Sequence, residues 1–502
     1  MAYVSLILNS VFIATIIWLA VYYYMKKSHT YWQKRGIPAD SGHWFFGNVK
    51  DAVLFRRNPT IVISELFAKS PPDLDVYGIY ILNKRFLLLK NPEVIKHVLV
   101  KDFHSFENRY FTGKSRVDTI SSSNLFTIGN PEWKQLRTKV SPVFTSGKMK
   151  KWFHLIAETT VSMSNYLRNE FANGVKTKVI MMQDTTLKFT TDIISTLAFG
   201  IHVNSFDPNN NEFFRKAQEG LSQTFTRSVQ FFCMFFFPKY SEFIPVKLLG
   251  NSTDYLRSVF WDAFENRETT KEKRGDLIDF MIELRNNKQQ DNEFKMEGDV
   301  LVSQAAIFFV AGRDSSVTTM CFTLYELARN PDIQKRVRDE IFETMKNQGL
   351  TYESVQDMKY MNQAMSEALR LYPPAPLLDR VATTDYKIPG TDIVLEKGTP
   401  VYVCLYALHR DPRFFANPDT YDPDRFSDEN KSNIKPFTYM PFGEGPRACV
   451  GMRLGMLQSM MAVITILKDY EVALDPDYKY QVDPYNIFFI TPADFKFILT
   501  KL

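Results

Sequence analysis

The 502-residue chain is 45% hydrophobic and 23% charged, enough to bury a large core. Its net charge of +5 is spread over interspersed acids and bases, which argues against a nucleic-acid surface. The four cysteines, Cys233, Cys321, Cys404 and Cys449, form no C-x-x-C pair, and His409 near Cys404 is too little for a zinc site; this is the thiol usage of a reducing compartment.

Val4 to Met25 carries no charge and as a helix extends about 33 Å, enough to cross a bilayer. Tyr22, Tyr23 and Tyr24 mark the far interface, and Lys26, Lys27, Lys34 and Arg35 keep the remainder of the chain cytosolic. A cleaved signal would need a basic n-region and a small-residue cleavage site, and a mitochondrial presequence would need basic residues before Lys26; neither pattern is present. The expected organisation is an anchor (1–27), a Gly- and Pro-containing linker (28–48) and one catalytic body (49–502), against the three domains that length alone suggests.

Along the body, alternating apolar segments at 76–89, 388–403 and 487–498 predict short strands. Asn130, Pro131 and Glu132 read as cap, first turn and acidic start of a helix through Trp133. Residues 225–249 are very aromatic but too interrupted to span a membrane. A continuous helix, roughly 50 Å long, is predicted over 298–330, ending before Pro331. The expected class is mainly α with a smaller β part.

The most informative stretch is Pro441-Phe442-Gly443-Glu444-Gly445-Pro446-Arg447-Ala448-Cys449-Val450-Gly451, leading into an apolar helix at 452–467. Gly443, Gly445 and Gly451 allow a tight backbone path around Cys449. A helix starting just after the cysteine stabilises a thiolate there. This F-x-x-G-x-R-x-C-x-G pattern resembles the haem-binding loop of the cytochrome P-450 family, and further motifs in the same order extend the resemblance over nearly the whole chain.

The resemblance implies a helix-rich prism with haem b between the long central helix and the cysteine loop. Cys449 would be the axial iron ligand, a thiolate that favours O–O cleavage. Phe442 would cover the sulfur, Gly445 and Gly451 would shape the loop, and Arg447 would meet a haem propionate. Trp133 and Arg137, four apart on one helix, match further propionate ligands, as do Arg380 and, more weakly, Arg109. Glu367, Arg370 and Arg425 match a buried structural triad. Gly312, Asp314 and Ser315 in AGRDS match the oxygen-activation motif, with Gly312 expected to leave room for dioxygen and to distort the helix. Asp314 and Ser315 would relay protons. Two departures stand out: Ser315 replaces the usual Thr, and Arg313 is cationic where neutral residues are commoner.

Family position suggests a lipophilic pocket walled by Phe106, Phe111, Phe126, Phe308 and Phe309, with Ala375, Leu377, Leu378, Phe488 and Phe489 completing it. The 225–249 segment would roof the substrate entrance against the bilayer. No flavin or nicotinamide motif is present, so electrons from NADPH would arrive through a separate membrane-bound reductase, with cytochrome b5 as a second donor. Lys139, Lys148, Lys150 and Lys151 are candidates for the docking face. The expected activity is monooxygenation at the endoplasmic reticulum, on plant toxins or insecticides, by likeness to insect microsomal members. The alternatives are a hydroperoxide isomerase or dehydratase, a hydroxylase of endogenous hormones or lipids, and a non-catalytic haem carrier.

Overall fold

The computed structural model describes residues 2–113, 115, 117–286, 294–491 and 494–502. Its axis is the helix Asp299–Arg329, apolar on every side and therefore surrounded by protein rather than set on the surface. Met182–Ile194 packs against it, as do Met452–Leu467, the helix that comes after the cysteine loop, and Lys359–Leu371. The central helix stops at Asn330, whose Nδ2 returns to the Glu326 carbonyl at 2.8 Å, and Pro331 opens the next helix.

The strands are β1 (Val76–Ile81), β2 (Lys84–Leu89), β3 (Thr177–Met181), β4 (Leu377–Val381), β5 (Tyr386–Lys387), β6 (Val394–Leu395), β7 (Pro400–Cys404), β8 (Tyr470–Ala473) and β9 (Lys496–Lys501). The main sheet has the order β1-β2-β7-β4, with β2 and β7 parallel and the other pairs antiparallel. Its apolar face forms a second core with Phe232, Phe235 and Phe236 of the helix Phe225–Phe236, while the central helix organises the first. The 225–249 segment thus divides its aromatic residues: these three are buried, while Phe225, Tyr240 and Phe243 are exposed.

Three expectations change. The 388–403 segment is split into β6 and β7, interrupted by the turn at Gly398. The 487–498 segment is a strand only from Lys496; residues 487–490 form a loop tied down by Asn486, which accepts the Phe489 N–H at 2.9 Å and whose carbonyl receives Asn58 Nδ2 at 2.6 Å. Asn130 does not cap the helix Glu132–Val140: Pro131 stands at the cap position, the Asn130 Oδ1 accepts from no helix N–H, and its Nδ2 donates to Glu107 at 2.6 Å.

The N-terminal helix Ala2–Ser28 is long and apolar enough to cross a membrane and exposes its apolar side chains. Its base is fixed to the β1–β2 hairpin: His29 Nε2 meets the Leu82 carbonyl at 2.7 Å, and the Trp32 N–H donates to the Tyr80 hydroxyl at 3.0 Å.

Candidate active site

The cysteine loop is built from consecutive turns. Gly443 N–H donates to Met440 O at 2.9 Å, Ala448 N–H to Gly445 O at 3.0 Å, and Cys449 N–H to Phe442 O at 2.8 Å. Gly445 sits at φ +75°, and a Cβ there would lie 2.1 Å from the Leu99 carbonyl, so both conformation and contact demand glycine. Cys449 is exposed on the inside: its surface opens into a cavity of about 340 Å³. Burial raises its thiol, while the Gly451 N–H and the Arg137 and Arg109 guanidinia favour the thiolate.

Across the cavity stand Ala311, Gly312, Asp314 and Ser315 of the central helix. The helix runs unbroken through Gly312, contrary to the expected distortion. The missing side chain serves close packing, because a Cβ would lie 2.9 Å from Ile194 Cδ1 on the adjoining helix. Gln458, from the helix after the cysteine loop, donates to Gly312 O at 2.8 Å and joins the two walls. Ser315 donates its hydroxyl to Ala311 O at 2.6 Å, which leaves its lone pairs free. Burial raises the Asp314 carboxyl, and the neighbouring Arg313 pulls it down across a 2.8 Å contact. Arg313 itself is buried; besides its ion pair with Asp314 it donates to Thr191, at 3.0 Å, and to Gln218.

Trp133, Arg109, Arg137, Arg380 and Arg447 line the same cavity. Arg447 lies 4.1 Å over the Trp133 ring and donates to Glu107 O at 2.8 Å. Asp379 accepts from Arg109 at 3.1 Å and from the Phe111 N–H at 2.8 Å. Among the described residues, Arg380 donates only to the Asp379 backbone carbonyl, at 2.7 Å. Among the described residues, the buried Nε atoms of Arg109 and Arg380 have no partner. Burial and like charge push Arg380 down to about 9 and Arg447 down to about 8, the signature of cations short of counterions. This donor set, facing a cysteine sulfur, fits a haem with its two propionates.

Behind the loop, Glu367 and Arg370 are fully buried and paired through two contacts, 2.7 and 2.8 Å. Arg425 reaches Glu367 at 3.2 Å, and Arg370 also holds the carbonyls of His409 and Pro418, each at 2.7 Å. This network extends to His409, whose link to the cysteine loop is not visible in the sequence; a histidine judged only as a zinc ligand gives no hint of it. Gln458 is equally absent from the expected site, although a lone amide in the apolar run 452–467 is a usable signal.

Of the expected pocket walls, Phe111, Phe126, Phe308 and Ala375 face the cavity, as do Leu377, Leu378, Phe488 and Phe489. Phe106 and Phe309 do not. Phe106 packs edge-on to Tyr386 at 4.8 Å, and Phe309 is held between Phe199 and Phe213, so both are core. Phe442 and Gly451 line the cavity, whereas Gly445 acts outside it through its contact with Leu99.

The family model described as Cytochrome P450 matches residues 37–498. The chain is 41% identical to Cytochrome P450 6k1 of Blattella germanica over 92% of this chain and 90% of that protein. It is 35% identical to Probable cytochrome P450 6g2 of Drosophila melanogaster, covering 94% and 95%, and 33% identical to Cytochrome P450 6B6 of Helicoverpa armigera, covering 94% of each. With a match of that extent and a cavity in which a cysteine shares its walls with a cluster of buried guanidinia, the chain belongs to the cytochrome P450 family and is a haem-thiolate monooxygenase.

Proposed function

We propose that this monooxygenase oxidises lipophilic foreign compounds, with electrons from NADPH delivered by a separate reductase. The observation that carries the reading is one cavity, lined mostly by apolar side chains, onto which Cys449, Asp314 and Ser315 all open. Haem bound there supplies the activation of dioxygen, one atom entering the substrate and the other leaving as water.

In this reading Cys449 would hold the haem iron through its thiolate, which the Gly451 N–H and the start of the helix Met452–Leu467 favour. Phe442 shields the sulfur. Arg109, Arg137, Arg380, Arg447 and Trp133 would hold the propionates, whose carboxylates would add negative charge to a cluster in which Asp379 pairs with Arg109. Asp314 and Ser315 pass protons inward; Ser315 does so by releasing its bond to Ala311 O. Glu367, Arg370 and Arg425 keep the region behind the loop rigid.

The apolar N-terminal helix fits a single anchor at 1–27 in the endoplasmic reticulum membrane, with 28–48 as linker and 49–502 as one cytosolic catalytic domain. Lys148, Lys150 and Lys151, with Lys139, form the basic side that meets the acidic reductase or cytochrome b5; Lys150 is paired with Glu353 until then.

The test is NADPH-driven turnover with added reductase across a panel of plant toxins, insecticides and endogenous lipids, with Cys449→Ser as control. Oxygenated toxins formed only with NADPH and Cys449 support the reading. Selective turnover of the endogenous lipids, or conversion of organic hydroperoxides without any electron source, overturns it.

A further inference from the structure

The roof of the cavity is one face of the helix Phe225–Phe236, from which Arg227, Phe231, Met234 and Phe235 line the interior at helical spacing. Three of these are the apolar side chains that a lipophilic pocket requires. Arg227 is not. It is only 7% exposed, and among the described residues it makes no ion pair. Two of its nitrogens reach the backbone carbonyls of Lys247 and Leu248, its guanidinium stands 4.7 Å from the Phe231 ring, and its buried Nε has no partner among the described residues.

Asp118 is the acid that bears on it, but that carboxylate is committed to the N–H groups of Leu248 at 2.7 Å and Ile120 at 3.1 Å, and it does not line the cavity. Burial depresses Arg227 to about 10, against the opposing pull of the Asp118 charge, which is not in contact with it. The four other arginines of the cavity are gathered with Trp133 and Asp379 beside the cysteine loop. Arg227 makes its contacts apart from that cluster: it is held by the Lys247 and Leu248 carbonyls, and it stands four residues after Gln223, which lines the cavity and is exposed.

Keeping a cation desolvated beside apolar walls is costly unless an anion arrives to pair with it. We propose that Arg227 is a specificity-determining residue that binds the carboxylate of a lipophilic acid, so that the acid's apolar chain lies in the cavity and is oxidised away from its charged end. This rests on the reading of a monooxygenase of foreign compounds and names lipophilic carboxylic acids as a class within it, dodecanoic acid serving only as a probe of the binding site. A C–H bond of the chain breaks and a C–O bond forms; one oxygen atom of O2 enters the product, and the other becomes water with two electrons from the redox partner and two protons.

Binding is measured without NADPH, on haem-loaded protein, by calorimetry with dodecanoic acid and its methyl ester. The acid is expected to bind on the order of tenfold more tightly than the ester. Arg227→Gln brings that ratio close to one, and Arg227→Lys, which keeps the charge, retains most of it. Haem content and circular dichroism establish that each variant is folded. If Arg227 only ties its helix to Lys247 and Leu248, the variants weaken acid and ester equally, the ratio stays put, and the proposal falls. It also falls if the parent protein does not discriminate. A parent protein that prefers the acid, loses that preference in Arg227→Gln and yet fails to turn over with reductase would instead overturn the functional reading and leave Arg227 as an acid-binding residue.

Discussion

The backbone N–H of Met440 donates to Nε2 of His409 at 3.0 Å. Since that nitrogen accepts, Nδ1 carries the proton and donates to Arg370 O at 3.2 Å. A single neutral imidazole thus joins the Glu367–Arg370 network to the residue preceding the cysteine loop.

Burial pushes His409 down to about 3, against an ordinary value near 6.5. The stabilisation from its neutral form is complete above about pH 6.5 and is lost as pH falls toward about 3, by at most about 1.4 kcal/mol per pH unit. Haem release from the parent should accelerate below pH 6.5 more steeply than from His409→Asn, which keeps an acceptor and does not titrate. Stopped-flow absorbance after pH jumps checks this, and parallel pH profiles would sink it.

Removing one partner of the buried pair strands the other charge, at a cost of about 3–5 kcal/mol. Glu367→Gln should therefore produce protein with little bound haem and a lower urea midpoint. Arg425, with its single 3.2 Å contact to Glu367 and 15% exposed side chain, should lose about 1 kcal/mol on change to Ala. Equal losses in the two variants would show that the triad is not graded by burial as the geometry requires.

Gly445→Ala combines a left-handed backbone with a 2.1 Å clash against Leu99 O, which cannot rotate away. The expected destabilisation is about 2–4 kcal/mol. At Gly312 the obstacle is the end of the Ile194 side chain, so Gly312→Ala should cost less and should be rescued by Ile194→Val. Haem content per chain measures both; rescue of Gly445→Ala by a side-chain change would contradict this account.

Ser315 lacks the methyl group that restricts a threonine rotamer, and its hydroxyl is held by Ala311 O. Ser315→Thr is expected to raise product formed per NADPH by about twofold and to lower peroxide, because a restricted hydroxyl keeps its lone pairs on the cavity. Unchanged coupling in oxygen-electrode and product assays would remove Ser315 as a source of leakage.

The local features were legible in the sequence because their causes are local. Glycines and a cysteine at fixed spacing dictate one tight loop, and Glu367 and Arg370, three apart, share a helix face whatever surrounds them. An uncharged apolar run is readable as a span for the same reason. Tertiary structure decided what depends on direction across the core. Phe308 and Phe309 are adjacent, yet the turn of the helix sends one to the cavity and the other between Phe199 and Phe213. Phe488 reaches the pocket because its segment is a pinned loop rather than a strand, and Phe106 misses it because Tyr386 is there. Arg227, His409 and Gln458 acquire meaning only from partners between 20 and 146 residues away, and no window along the chain contains those pairings.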